Sequence, residues 1–359
     1  IMAFPCWMHR AIPCPEESGR HGPPGWPQGR RRLGALVLGL SLILVGVSLS
    51  FRAAFADTPE VRVGVLSFGS VDWELDVIRR NKLDQSHGFH LTTLRLADKD
   101  AASLALLSGS VDLIVTDWFW VSHQRWKGGD PTFVAHSLAV GGVMVPPDSP
   151  IASVADLGGK KLGIGGGPTD KTWLLLRAYA MKTAGLDLAK TADMNFGAPP
   201  LLNRLALDLK LDAVANFWQF NARLKAVGFH EILPITTILP ALGIERPPPL
   251  LGWVFHESFA NDHPALIRDF LAASFEAKQR LATSDAEWEA LRPLMDASDD
   301  ALFRELKESY RRGIPKGWSP ADAEAAARAY SAIVEAVGTA PAGGDRSLAP
   351  GTFWTGFSR

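Results

Sequence analysis

Apolar residues recur along this chain in two rhythms. Short runs such as Val61, Val63, Val65 and Leu66 alternate with stretches whose apolar positions fall three or four apart. The first rhythm belongs to a buried strand and the second to an amphipathic helix. Read this way, residues 61–66 are a strand, a loop follows at Ser67-Phe68-Gly69-Ser70, and 73–80 form a helix. Residues 89–96 are the next strand, Asp98 opens a helix carrying Leu104 and Leu107, and strands follow at 111–115 and 133–139. After Pro146-Pro147 and Pro150 a second set begins. It has strands at 162–164, 194–196, 211–215 and 231–233, with helices at 172–184, 199–209 and from Trp218 to about Val227. Pro240 and Pro247-Pro248-Pro249 punctuate again before a strand at 250–255.

The remainder reads as helical. Leu266, Phe270, Leu271 and Phe275 hold helical spacing, Ser284 with Glu287 forms a capping box, and Ser319-Pro320 with Asp322 starts another helix. The tail from Pro341 reads as a loop or a loosely docked end.

Alternating strand and helix predict an α/β fold with helices on both faces of each sheet. Two proline-rich crossings with one block between them predict an inserted lobe reached by two strands, hence a hinge and a cleft. The expected division is a discontinuous first lobe over 57–145 and 242–340 carrying the C-terminal helices, a second lobe over 146–241, and a tail over 341–359. Ligands in open α/β sheets sit at the C-terminal ends of strands, so the candidate segments are 67–73, 116–120, 165–173 and 216–220.

The N-terminal part sets the compartment. Arg30-Arg31-Arg32 precede an unbroken apolar run over 33–49, and Ala54-Phe55-Ala56 supplies a small-x-small site. That is the order of a secretory signal peptide, which predicts a periplasmic protein cleaved near Ala56. The run is also close to the length of a membrane span, so an uncleaved anchor is the other reading. Both cysteines, Cys6 and Cys14, precede the cleavage site, which leaves 57–359 without disulfide, thiol chemistry or a thiolate metal site. Six of the 37 basic and two of the 38 acidic residues also precede residue 57, so the exported part carries a net charge of about −5. That balance excludes nucleic acid as a partner.

The stretch Gly163-Ile164-Gly165-Gly166-Gly167-Pro168-Thr169-Asp170-Lys171-Thr172 invites a nucleotide reading. Its spacing fits neither a P-loop nor G-x-G-x-x-G, and ATP is scarce outside the cytoplasm. It is either a tight turn or a loop whose backbone N–H groups face a ligand, with Thr169 as helix cap and donor. A helix terminus favours an anion by about 0.3–1 kcal/mol, up to about 2 when partly buried. Asp170 in that first turn uses up part of the preference. Asp72, Glu74 and Asp117 lie in other candidate loops, where each serves either as a cap or as a ligand contact, and none of the four segments holds an arginine.

Ten of 12 tryptophans follow residue 56. Trp73, Trp118, Trp120, Trp173 and Trp218 lie near predicted strand ends, where an indole can either fill a core or grip a solute. Trp73 and Trp118 are the leading choices for the cleft. Seven histidines remain, without metal-pair spacing, and Ser67, Ser70 and Thr116 have no ordered His/Asp partners for a hydrolytic triad.

The segment Asp148-Ser149-Pro150-Ile151, continued by Ala155-Asp156-Leu157-Gly158-Gly159-Lys160-Lys161-Leu162-Gly163-Ile164, resembles the hinge-to-second-lobe signature of type II periplasmic binding proteins. Within these it is most similar to the nitrate/sulfonate/taurine group of ABC-transporter substrate-binding proteins, which includes thiamine-pyrimidine binders. Val61-Arg62-Val63-Gly64, Ser108-Gly109-Ser110-Val111-Asp112-Leu113 and Leu211-Asp212-Ala213-Val214 carry the same likeness. The resemblance implies two mixed sheets, closure on a small-molecule solute, docking on an inner-membrane ABC permease, a monomer and no cofactor.

The expected ligand contacts are Ser67, Phe68, Gly69, Trp73, Asp117, Trp118, Gly165, Gly166, Thr169, Asp170, Asn216 and Trp218. A missing arginine grip turns the expectation away from sulfonate or nitrate and toward neutral, cationic or heteroaromatic solutes. An exported enzyme or sensor on the same scaffold, acting on a pyrimidine-like compound, is the alternative, and a membrane-tethered structural protein is a third.

Overall fold

The computed structural model describes residues 58–297, 299–338 and 345–357. The predicted leader, its apolar run and the cleavage site lie outside the described residues.

Two five-stranded sheets form the frame. The first has the order β2-β1-β3-β10-β4, with β1 at Glu60–Leu66, β2 at His90–Leu96, β3 at Leu113–Asp117, β4 at Pro131–Ser137 and β10 at Leu251–His256. The second has the order β7-β6-β8-β5-β9, with β5 at Gly142–Val145, β6 at Lys161–Gly165, β7 at Asp193–Gly197, β8 at Ala213–Asn216 and β9 at His230–Pro234. β1 runs parallel to both β2 and β3, and β6 runs parallel to both β7 and β8. One strand in each sheet is antiparallel to both its neighbours: β10 between β3 and β4, and β5 between β8 and β9. These are the strands that arrive from the other sheet, so each crossing ends by reversing direction. Each sheet with the helices packed on it is called a lobe below.

β5 differs from the sequence expectation. Residues 142–145 were assigned to the first lobe, yet they pair in the second sheet. The crossing therefore precedes Pro146, at Leu138–Gly141. The physical reason is space: a Cβ on Gly141 would lie 1.6 Å from the Asn216 carbonyl oxygen, so only glycine lets the entering strand lie against β8.

Parallel strands are followed by helices whose starts face the gap between the lobes: α1 (Val71–Arg80) after β1, α2 (Lys99–Leu107) after β2, α3 (Trp118–Trp126) after β3, α4 (Lys171–Ala184) after β6, α5 (Pro199–Leu207) after β7 and α6 (Trp218–Ala226) after β8. In α1 the first turn carries Asp72 and Glu74 and the last turn Arg79 and Arg80, matching the helix dipole. The C-terminal helices are α7 (Pro264–Thr283), α8 (Asp285–Met295), α9 (Asp300–Arg312) and α10 (Pro320–Val337).

The first-lobe core packs Val61, Val63, Leu75 and Ile78 against Phe270, Trp288 and Leu306. A second core extends through both lobes. α10 joins it: Tyr330 stacks on Phe119 of α3, while the helix packs along α4 of the second lobe. The last helix thus straddles the lobes, whereas the sequence placed it in the first alone. The described tail also docks firmly. Trp126 Nε1 donates to the Ser347 carbonyl at 2.9 Å, Ala349 N donates to Ser122 Oγ at 2.9 Å, and Phe353 bridges to Phe133 beside β4.

Candidate functional site

Two aspartates end β3 and precede α4, one in each lobe, and both cap helices. Asp117 Oδ1 accepts the Trp120 N–H at 3.0 Å, and Asp170 Oδ1 accepts the Thr172 N–H at 2.8 Å. Such caps satisfy one of the free N–H groups at a helix start. The remaining oxygens converge on one ammonium group: Lys99 Nζ lies 2.6 Å from Asp117 Oδ2 and 3.0 Å from Asp170 Oδ2. Lys99 is the first residue of α2 in the first lobe, so its contact with Asp170 joins the lobes.

Burial penalises every charge here, and the pairing overrides it. Burial pulls the Lys99 ammonium down, but the two carboxylates hold it above the ordinary lysine range. Burial would raise Asp170, yet Lys171 and Lys99, with the Thr172 N–H, hold it at about 2. Lys171 is 4 % exposed. Its Nζ lies 3.7 Å from Asp170 Oδ1 and 5.3 Å from the Phe217 ring centre.

A cavity of about 90 Å³ lies behind this network, bordered by Val65, Thr116, Lys171, Val140, Trp218 and Leu251 among others. Both crossings contribute to its wall, through Ala139–Gly141 and Leu251. Thr116 is 2 % exposed, and its hydroxyl has no hydrogen-bond partner among the described residues. A second cavity of about 320 Å³ shares Leu66, Lys99 and Phe217 with the first and is bordered by Asp98, Asp100, Gly166, Gly167 and Phe196 as well. The lobes touch elsewhere too. Phe68 meets Phe220 edge-on at 5.9 Å, Gln219 Nε2 donates to the Phe68 carbonyl at 3.5 Å, and Arg223 donates to the Met295 and Asp296 carbonyls at 2.6 and 3.1 Å.

Of the predicted contacts, Gly69, Asp117, Asp170 and Trp218 border the inner cavity. Phe68 and Gly166 border the second cavity. Gly166 has φ +103° and its Cα faces the Asp170 carboxylate so closely that a Cβ would lie 2.7 Å from Oδ2. Trp73 is 5 % exposed and meets Trp218 edge-on at 5.7 Å, in a cluster with Trp288 and Tyr310 at the lobe boundary.

Other predicted contacts lie elsewhere. Trp118 is fully buried; it stacks on Phe119 at 3.8 Å and donates from Nε1 to the Pro249 carbonyl at 3.2 Å, pinning the returning crossing. Residue 118 is helical, and the side chain of that first turn points into the core. Asn216 is also fully buried, holding the start of α5 through Pro199 O and Asn203 Oδ1 at 3.0 and 2.8 Å. Gly165 packs on that amide. Thr169 is exposed, and the α4 cap is Asp170 rather than Thr169. Ser67 is exposed, its hydroxyl on the Leu96 carbonyl at 3.2 Å.

The two other acids singled out in the sequence face inward or sideways. Asp72 pairs with Arg79 and Arg95. Glu74 lies at the bottom of the first lobe core, 2.7 Å from Lys278 Nζ and accepting from the Tyr310 hydroxyl at 3.0 Å and from Ser274. Burial would raise Glu74, but Lys278 and His136 hold it low, and burial with Lys278 pushes His136 down to about 3.

Sequence reasoning missed Lys99 and Lys171 as site residues. A signal was present: each is the first residue of its helix, where the dipole disfavours a cation. A local rule broken twice, at the two helix starts facing each other, marks a compensating contact.

A family model described as "NMT1/THI5 like" matches residues 85–286. No curated protein sequence matches the chain. Among solved structures, the alkanesulfonate-binding protein SsuA from Xanthomonas axonopodis pv. citri bound to MOPS superimposes with a TM-score of 0.68 at 16 % identity, over 83 % of this chain and 99 % of that one. The periplasmic aliphatic sulphonate binding protein SsuA from Escherichia coli gives 0.65 at 17 % identity, over 84 % and 93 %. The ligand-binding component of an ABC-type import system from Staphylococcus aureus gives 0.60 at 13 % identity, over 83 % and 99 %. These likenesses establish the two-lobed periplasmic-binding fold. With the family model covering more than half of the sequence, the chain belongs to the NMT1/THI5-like family.

Proposed function

We propose that this protein is the solute-binding component of an ABC importer, exported to the periplasm as a monomer. It captures a small organic solute between its lobes and presents the closed form to an inner-membrane permease. The observation that carries this reading is the Lys99 ammonium shared by Asp117 of one lobe and Asp170 of the other. That contact requires the lobes to be together, and it sits beside a cavity walled by both crossings. A solute touching both walls adds its contacts only to the closed state and shifts the population toward it. No bond is made or broken in this scheme.

The test uses the exported protein. Trp218 and Trp73 meet at the lobe boundary, so a cognate solute changes tryptophan fluorescence saturably and raises the melting temperature. Mass spectrometry of the released compound then returns it unchanged. Recovery of a converted compound points instead to an enzyme acting on it, and native protein that retains no small molecule refutes the solute-binding reading.

A further inference from the structure

Four ionised side chains border the inner cavity: Asp117 and Asp170 against Lys99 and Lys171. Their charges cancel. Lys99 is spent on the two carboxylates. Lys171 is not: buried to 4 % exposure, its ammonium makes no hydrogen bond among the described residues, with only the Asp170 oxygen at 3.7 Å and the face of Phe217 near it. A buried ammonium needs acceptors, and the open side of this one is the cavity. Thr116, on the opposite lobe, lines the same cavity, and its buried hydroxyl has no hydrogen-bond partner among the described residues.

We infer that the cavity takes an uncharged solute whose acceptor atom, such as a carbonyl oxygen or ring nitrogen, sits on the Lys171 ammonium, and that Asp170 and Asp117 together exclude anions. This rests on the solute-binding reading above. A neutral acceptor satisfies Lys171 and leaves the charges balanced. An anion at the same place adds a third negative group to two lysines, within reach of the Asp170 carboxylate. The neighbouring cavity adds to the selection, because Asp98 and Asp100 border it and Lys99 is its one basic lining residue. A cationic solute meets the converse problem, since both inner carboxylates are already occupied by Lys99. The remaining wall, with Val65, Val71, Val140, Trp218 and Leu251, suits an apolar body.

Methanesulfonate is the probe, titrated against the full exported chain at constant ionic strength and followed by calorimetry and thermal shift. Wild type is expected to bind it no better than chloride. Asp170→Asn keeps a helix-capping side chain but leaves one positive charge in excess, and is expected to bind methanesulfonate at least tenfold more tightly than wild type. Adding Lys171→Met to that variant is expected to abolish the gain. Asp117→Asn, which removes the other carboxylate, should show the same direction and carries the test if Asp170→Asn does not fold. Tight methanesulfonate binding by wild type, no gain in either aspartate variant, or a gain that survives Lys171→Met overturns the inference. So does a native ligand that carries net charge at pH 7. The solute-binding reading fails on a different result, the absence of any retained small molecule.

Discussion

Replacing Lys99 with methionine tests the inter-lobe network most directly. Methionine keeps the length of the side chain and removes the charge, leaving Asp117 and Asp170, both buried, without the cation they share. The structure bounds the effect from one side. Asp170 is held at about 2 instead of 3.8, and at about 1.4 kcal/mol per pH unit that gap is on the order of 2 kcal/mol of folding stability at neutral pH. A depressed carboxylate contributes this stability above its unfolded value and loses it as pH falls from about 4 to about 2. Removing one partner of a buried pair costs about 3–5 kcal/mol. Asp170 retains Lys171 and the Thr172 N–H, so the lower end, about 3 kcal/mol, is expected.

Thermal unfolding monitored by circular dichroism across pH 2–8 gives the readout. At about 2–4 °C per kcal/mol, Lys99→Met should melt about 6–12 °C below wild type at pH 7. Its acid loss of stability should also begin at higher pH, because burial raises Asp170 and one of the two lysines opposing that rise is gone. A fall of less than about 2 °C together with an unchanged acid limb refutes the argument, and would mean that solvent reaches the network freely.

Two further substitutions separate core from cleft. Trp118→Ala should cost about 4 kcal/mol through cavity formation, with an additional loss from the unpaired Pro249 carbonyl, while solute affinity in the folded fraction stays within about twofold; denaturant titration and calorimetry read the two, and near-native stability with weakened binding contradicts the core placement. Lys278→Met should destabilise by about 3–5 kcal/mol by leaving Glu74 buried without its cation. Glu74→Gln combined with it should recover at least half of that loss in the same titration, and a double variant no more stable than the single one would show that the pair is not the source.

The periodicities of this chain fixed most of its elements, because strand and helix rhythms are local and survive without tertiary context. β1, β2, β4, β6, β7, α4 and α5 lie within a few residues of where the pattern puts them. β5 was missed: Gly142-Val143-Met144-Val145 is short, follows another apolar run, and is a strand only because β8 and β9 flank it. The candidate site was legible in part. Strand ends and glycine loops located Asp117, Asp170, Gly166 and Trp218, since parallel topology sends those ends to one edge. Orientation was not legible. An indole at a helix start is equally consistent with core and cleft, and Trp118 turned inward while Trp218 faces the cavity.

The sequence by itself determined an α/β chain of two successive βα sets joined through proline-rich crossings, with no cysteine after Cys14. Tertiary structure alone decided that Lys99 of one lobe meets Asp170 of the other. Residues 99 and 170 are far apart along the chain and their ion pair has no periodicity to betray it. Only the packing of two helix starts against each other brings the charges within reach, and only burial makes their balance matter.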